Sequence, residues 1–376
     1  MFGRKLHLFS LFGFKVGVDF TWVLLAVLVT WSLATGLFPY YFKDFSTATY
    51  WWMGVAGALG LFISIVFHEF CHSLVARRYG LSMKGITLFI FGGVAEMEDE
   101  PNSPKAEFLM AVAGPISSLV LGGVFYGVSL LGGRVAWGAP ANAVLSYLAL
   151  LNVILAVFNL IPAFPLDGGR VLRSALWQVK GNLRWATRVA SAIGSGFGVF
   201  LIAFGVFSFI GGAFVAGAWY FLIGLFIRGA SQMSYQQVLM RKALGGEKVS
   251  RFMKEQPVTV PASTSVDELV NNYFYKYHYK MFPVSNGAGL SGCVTTRQIK
   301  DIPRDEWQRH TAGEILEPCS PDNTITPDTD ALKALALMKR SDKSRLLVAE
   351  GDRLLGVLTL KDMLKFLSLK MDLEEQ

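Results

Sequence analysis

Two histidines one helical turn apart, with a glutamate beside the first, form a set that can hold a metal ion and move a proton. They are His68, Glu69 and His72, in the run His68-Glu69-Phe70-Cys71-His72. On an α-helix, positions i and i+4 face the same way, so both imidazoles reach one ion while the carboxylate lies beside it. This is the HExxH arrangement: the histidines bind zinc and the glutamate handles a proton of the attacking water. The bland reading of the same residues is a pair of structural histidines packed on a neighbouring helix. The surroundings favour the metal. The motif lies inside the apolar run AGALGLFISIVFHEFCHSLVA, and each ionisable side chain at membrane depth costs roughly 2.5–3.5 kcal/mol. Three in five positions demand a function, provided that a third ligand exists.

A candidate closes another apolar stretch, Asn159-Leu160-Ile161-Pro162-Ala163-Phe164-Pro165-Leu166-Asp167-Gly168-Gly169-Arg170. Two prolines and two glycines break the helix here and free backbone groups that lipid cannot satisfy, which places the segment around a wet cavity. Asp167 comes at the same end of its span as the HExxH does of its own. His68, His72 and Asp167 with one water make an open catalytic coordination. The plainer alternative is that Asp167 caps the next helix. Cys71 is read as small filler between the histidines; with Cys293 and Cys319 it forms no CxxC pair and suggests no disulfide framework.

These residues need membrane helices to position them, and the composition supplies such helices. Of 376 residues, 52% are apolar and 17% charged, and nearly all long apolar runs fall before about residue 230. Spans are expected at about 18–38, 51–77, 106–131, 141–161, 187–208 and 211–229, each near or above the ~20 residues that cross a bilayer. The last two are divided only by Phe209-Ile210-Gly211-Gly212, so a re-entrant pair is an alternative there. Glycines inside the spans (Gly54, Gly57, Gly60, Gly194, Gly198) let helix backbones approach closely. Residues 1–17, basic and aromatic, are expected to lie along the membrane surface before the first span. They lack the features of a cleaved signal peptide, because Lys15 and Asp19 interrupt the apolar stretch.

Lys and Arg concentrate in the N-terminal segment, in the 78–105 and 165–186 loops and after residue 229. The positive-inside rule then puts both termini in the cytoplasm. The same rule accounts for the net charge of +7 without any nucleic acid. Between the second and third spans, Ile86-Thr87-Leu88-Phe89-Ile90-Phe91-Gly92-Gly93-Val94-Ala95 is rich in β-branched and aromatic residues and carries a Gly pair. It reads as a short hairpin or re-entrant strand. A strand edge is untenable in lipid, so it should line a protein cavity, where it could pair with an extended substrate.

HEFCH in one span and NLIPAFPLDGGR ending another resemble the site-2 protease family of intramembrane zinc metalloproteases. The resemblance covers most of residues 1–230, and Ala113-Gly114-Pro115 in the third span also looks like a segment found in that family. It implies one zinc per chain on His68, His72 and Asp167, with Glu69 as catalytic base and acid. It further implies that Asn159 lies near the substrate or the active-site water. No PDZ-like insertion separates the second and third spans. The substrates implied are single-span membrane proteins cut in regulated intramembrane proteolysis: membrane-tethered transcription regulators, anti-sigma factors or signal-peptide remnants.

After residue 245 the chain repeats with a period of about 65, Pro261 matching Pro327 and Gly292 matching Gly356. Each copy reads as strand, amphipathic helix, two strands around a turn, then helix. The pair resembles tandem CBS domains, which often bind adenine nucleotides such as ATP or AMP in the cleft between repeats. The usual ribose-holding Thr or Ser followed three positions later by Asp is kept in the second copy as Thr359 and Asp362, whereas the first has Thr295 and Gln298. A structural module, or a homodimer formed through the CBS domains, is the alternative. The aromatic, basic run Tyr273–Lys280 reads as a packed helix with solvated lysines rather than a nucleic-acid surface.

The expected fold is an α-helical polytopic membrane protein of about six transmembrane helices with a short membrane-embedded β-hairpin, followed by a soluble α/β CBS pair. The boundaries expected are 1–245 for the metalloprotease domain, 246–308 for the first CBS domain and 309–376 for the second. The expected function is a multi-pass intramembrane zinc metalloprotease modulated by a cytoplasmic nucleotide-sensing CBS pair. The competing function is a CBS-regulated ion transporter or channel with a structural zinc site. Glu69 separates the two, since a transport or structural site needs no carboxylate beside two zinc histidines.

Overall fold

Lipid offers no partner for backbone groups, so apolar stretches of about 20 residues or more cross a bilayer as helices. Among the described residues six helices are long and apolar enough to do so: α1 (Phe20–Tyr41), α2 (Thr47–Arg78), α3 (Pro104–Arg134), α4 (Ala139–Asn159), α6 (Leu183–Ile210) and α7 (Phe214–Leu244). The short α5 (Asp167–Lys180) lies between α4 and α6. This is a computed structural model, and it describes residues 6–81, 83–90, 92–97, 101–135, 138–287 and 289–374. Two compact units emerge, Met1–Gln236 and Gln237–Gln376, the boundary falling inside α7.

In the first unit the bundle is inverted relative to a soluble protein. Leu24, Val27, Leu28, Ile154, Val157 and Phe207 are exposed, while Ser64, Asn152 and Thr187 are buried. Hydrocarbon solvates the outer side chains, and the inner polar groups bond to one another: Asn152 Nδ2 donates to Ser64 Oγ at 2.9 Å. Helices α6 and α7 are 28 and 31 residues long, enough for two full crossings. A Cβ on Gly198 of α6 would fall 2.8 Å from Gly224 O of α7, the close approach that the glycine spacing anticipates.

A four-stranded sheet accompanies the bundle: β1 (Leu6–Leu11), β2 (Phe14–Val18), β3 (Met83–Phe89) and β4 (Gly92–Met97), in that order. The strand expected around residues 86–95 is the β3–β4 hairpin; Phe91 lies outside the described residues. Residues 1–5 of the N-terminal segment, including Arg4 and Lys5, lie outside the described residues. From Leu6 on the segment is a hairpin, because Phe12 (φ 48°) and Gly13 (φ 88°) both take left-handed conformations, as a tight hairpin turn requires. Phe14, Val16 and Val18 alternate inward and pack on Ile65, Val66 and Phe70 of α2. The sheet thus clasps the helix that carries the HExxH motif. Arg77 adds to the grip by donating to Phe12 O at 2.9 Å and stacking over Phe14.

The second unit holds two four-stranded sheets. One is β6 (Val260–Pro261), β7 (Met281–Ser285), β8 (Leu290–Thr295) and β9 (Glu317–Pro318); the other runs β10 (Thr324–Ile325), β11 (Arg345–Glu350), β12 (Arg353–Thr359) and β5 (Lys254–Glu255). The two copies therefore trade their leading strands: β5 precedes the first copy but pairs with the second, and β9 does the reverse. Helix α8 (Ala331–Arg340) starts at an Asp330 N-cap. In the first copy the corresponding helical stretch contains a π-type segment over Leu269–Phe274 and ends at His278 (φ 58°). Within the aromatic run, Tyr273 and Phe274 pack edge-on against buried Phe282, as the packed-helix reading expects.

Candidate metal centre

Helix α2 begins at Ser46, whose hydroxyl accepts from Thr49 N-H at 3.2 Å, and runs unbroken to Arg78. Helical periodicity turns His68 and His72 to one face, where both are buried. Their Nε2 atoms are 3.2 Å apart. Asp167, the first residue of α5, puts Oδ2 3.1 Å from each of them. Among the described residues these three form the group of His, Cys, Asp or Glu able to share one ion. Cys71 is half-buried and stands outside it.

The spacing suits zinc. Ligand atoms at about 2.0–2.1 Å from a tetrahedral ion stand about 3.3 Å apart, against 3.1, 3.1 and 3.2 Å here. The outer ring nitrogens are already engaged: His72 Nδ1 donates to Met110 O at 2.6 Å, and His68 Nδ1 lies 2.9 Å from Ser118 Oγ. A carbonyl only accepts, so the His72 proton sits on Nδ1 and the Nε2 lone pair is left for a metal. Helix α3 comes so close that a Cβ on Gly114 would fall 2.2 Å from His72 Nε2 and 2.5 Å from His68 Nε2. Only glycine leaves this space open.

The loop before α5 determines where Asp167 lands. Ala163 N-H donates to Ile161 O at 2.7 Å and Leu166 N-H to Ala163 O at 2.9 Å, winding the chain into a tight coil. A Cβ on Gly168 would strike Leu160 O at 2.2 Å, so the glycine lets α5 start against the loop. Ser231 of α7 donates to Phe164 O at 2.5 Å. Two turns into α5, Arg173 stacks over the Phe164 ring at 5.0 Å and its Nε donates to Glu107 Oε1 at 2.6 Å. Both members of that ion pair are buried, so the helix bearing Asp167 is fixed to α3 by a charge pair within the bundle.

Glu69, half-buried, faces strand β4: a Cβ on Gly93 would come 2.6 Å from Glu69 Cγ and 3.1 Å from Oε1. Strand β4 is the last of its sheet, so among the described residues its outer backbone edge has no strand partner beside this carboxylate. Asn159 behaves differently. Its Nδ2 donates to Leu155 O of its own helix at 3.0 Å, rather than to the cluster.

In the second unit Thr359 and Asp362 are brought together, but by each other. Thr359 Oγ1 donates to Asp362 Oδ2 at 2.6 Å, and Asp362 N-H donates back to Thr359 Oγ1 at 3.1 Å. Thr359 borders an open cavity of about 510 Å³ lined also by Ser344, Arg345, Lys361, Lys365 and Ser368. In the first copy Thr295 and Gln298 close a capping box at the start of Thr296–Lys300.

Sequence reasoning missed the contribution of α3, namely Glu107, the Met110 carbonyl and Ser118. The available signal was Glu107 itself, a carboxylate within an apolar span, and the spacing of 110, 114 and 118 along one helix face.

The model for peptidase family M50 matches residues 56–136 and 132–204, and the CBS domain model matches 249–304 and 312–369. Over 357 residues the chain is 33% identical to "Putative zinc metalloprotease Rip3" of Mycobacterium tuberculosis, covering 94% of this chain and 91% of that one. It is 30% identical to the zinc metalloprotease MJ0392 of Methanocaldococcus jannaschii, covering 99% and 98%. A solved site-2 protease from Methanocaldococcus jannaschii is similar at 30% identity and a TM-score of 0.44, over 62% of this chain and 95% of that one.

Proposed function

Since the chain belongs to the M50, or site-2 protease, family of zinc metalloproteases and carries a tandem CBS pair, we propose that His68, His72 and Asp167 hold its zinc and that Glu69 is its catalytic base and acid. The observation that carries this reading is the approach of two Nε2 atoms and one carboxylate oxygen to 3.1–3.2 Å of one another, with a second carboxylate next in sequence. Bound zinc supplies a Lewis acid and acidifies a water molecule. The rest is done by the chain. Glu69 takes a proton from the attacking water and later delivers it to the leaving amine. The buried walls built by α2 and α3 keep the reacting groups out of bulk water, and the Nδ1 contacts hold the imidazoles in register.

The substrates fitting this site are single-span membrane proteins. A helical substrate hides its carbonyls in i→i−4 bonds and must unwind before attack. The outer edge of β4 beside Glu69 supports docking of the unwound segment as an added strand. The reading includes regulated intramembrane proteolysis of a membrane-tethered transcription regulator, an anti-sigma factor or a signal-peptide remnant. Asn159 is proposed to contact the substrate once that segment enters. Arg77 and Arg78 at the end of α2, with the basic residues after α7, support a cytoplasmic location for the termini and the CBS pair. On this orientation His72 lies about 9 Å from the cytoplasmic end of α2, at about 1.5 Å per residue. The CBS pair, over about 246–308 and 309–376, is proposed to sense ATP or AMP through Thr359 and Asp362 and to dimerise. No observation favours an ion transporter.

The test compares wild type with Glu69→Gln on a panel of tagged single-span substrates. Fragments are expected from wild type, and a fall of about a hundred- to ten-thousand-fold in the variant, with zinc content unchanged. Equal cleavage by both forms would end the protease assignment to this site.

A further inference from the structure

Buried serines in apolar helices usually return their hydroxyl to a carbonyl one turn back. Ser64 does so to Gly60 O, Ser73 to Glu69 O, Ser117 to Gly114 O and Ser231 to Ile227 O. Ser118 is an exception. It is 1% exposed, and its Oγ lies 2.9 Å from His68 Nδ1 on the neighbouring helix. With the Met110 carbonyl on His72 Nδ1 and Gly114 between them, it completes a stripe at i, i+4 and i+8 along α3. That stripe faces the His68 and His72 stripe of α2.

We propose that Ser118 is a positioning residue of the metal centre: its hydroxyl oxygen accepts the His68 Nδ1 proton and so fixes the tautomer and ring angle that present Nε2 to the metal. The proposal rests on the reading that His68, His72 and Asp167 bind zinc. Without Ser118 the imidazole can carry its proton on either nitrogen and can turn about χ2. Part of the population then points a protonated nitrogen at the metal position. The His72 contact cannot be removed by a side-chain change, because its acceptor is backbone; the His68 contact can.

The experiment uses the full chain in detergent, stripped of metal by chelation. Zinc affinity is measured by competition with a chromophoric chelator, and cobalt(II) is added in parallel to record the visible ligand-field bands. Four proteins are compared: wild type, Ser118→Ala, His68→Ala and Ser129→Ala. Ser129 is a more exposed hydroxyl on the same helix that also meets a side chain of a neighbouring helix, 3.0 Å from Ser146 Oγ, and is away from the stripe. Ser118→Ala is expected to bind zinc about 10–100-fold more weakly and to show altered cobalt bands. Ser129→Ala should match wild type. Wild-type affinity and an unchanged cobalt spectrum in Ser118→Ala would overturn the positioning role. So would an equal loss in Ser129→Ala, which would mark the effect as general helix packing. Failure of the underlying metal assignment looks different: His68→Ala would then bind zinc as wild type does.

Discussion

The candidate metal centre in the first unit and the Thr359–Asp362 pair in the second both place oxygen or nitrogen atoms where a ligand could use them, but they are held in opposite ways. At the candidate metal centre the outer contacts of the imidazoles come from another element. Met110 O and Ser118 hold the histidines from α3, and Glu107 holds the aspartate's helix through Arg173. The three inner atoms are left facing one another. In the second unit, Thr359 and Asp362 spend their hydrogen bonds on each other. The first site is preorganised, because the contacts that hold the two imidazoles are made at their outer nitrogens and need not change when the inner atoms are used. The second is closed, and a ligand must exchange its own bond for one already made. Borrowed support lets a membrane protein keep ionisable groups ready inside a bundle, where unsatisfied charge is expensive.

The strongest way to break this contrast is to remove the support and leave the ligands. Glu107→Ala strands the Arg173 guanidinium, 4% exposed, without its carboxylate, at an expected cost of about 3–5 kcal/mol. Thermal unfolding in detergent should show a large drop, or the chain should fail to accumulate. Replacing both partners by leucine should recover most of the stability, since a buried pair exchanged for apolar groups is close to neutral. A drop of under about 1 kcal/mol for Glu107→Ala would mean that Arg173 relaxes to solvent and that α5 is not fixed by this pair.

A smaller effect is expected from Gly114→Ala, which sharpens the same point. The new methyl falls 2.2 Å from His72 Nε2, so either α3 retreats or an imidazole turns away. Overpacking of this kind costs about 1–3 kcal/mol, and zinc binding should fall with it. Gly127→Ala on the same helix meets nothing within 4 Å and should leave both unchanged. Equal zinc affinity in the two variants would show that the space beside the histidines is not what α3 provides.

Much of this was legible in the sequence for a physical reason. Helical spacing brings His68 and His72 together whatever surrounds them, and the Pro162, Pro165, Gly168 and Gly169 break announces an irregular loop before Asp167. The hidden parts depend on which face meets which neighbour. Ser118 and Glu107 gain their roles only from the way α3 packs on α2 and α5, and a single sequence carries no packing angle. The N-terminal hairpin was obscured because its exposed Leu6, Leu8, Phe9 and Phe12 look amphipathic in either geometry. The exchanged strands β5 and β9 are two residues each, too short to show a period.

The smallest predicted effect tests the closed side of the comparison. Thr359 caps α9 (Leu360–Glu374) by accepting from Asp362 N-H, and Thr295 caps its helix in the first copy. Thr359→Ala and Thr295→Ala should therefore each cost about 1 kcal/mol of stability, read by denaturant unfolding of the second unit's signal in the full chain. Ligand affinity should separate them. With ATP or AMP titrated by calorimetry, Asp362→Ala and Thr359→Ala should each lose about 1 kcal/mol of binding, roughly five-fold, while Thr295→Ala stays near wild type. Equal losses in both copies would point to two working sites despite Gln298. If wild type binds neither nucleotide, the Thr359–Asp362 bond is a helix cap alone, and the contrast becomes one between a chemical site and a structural one.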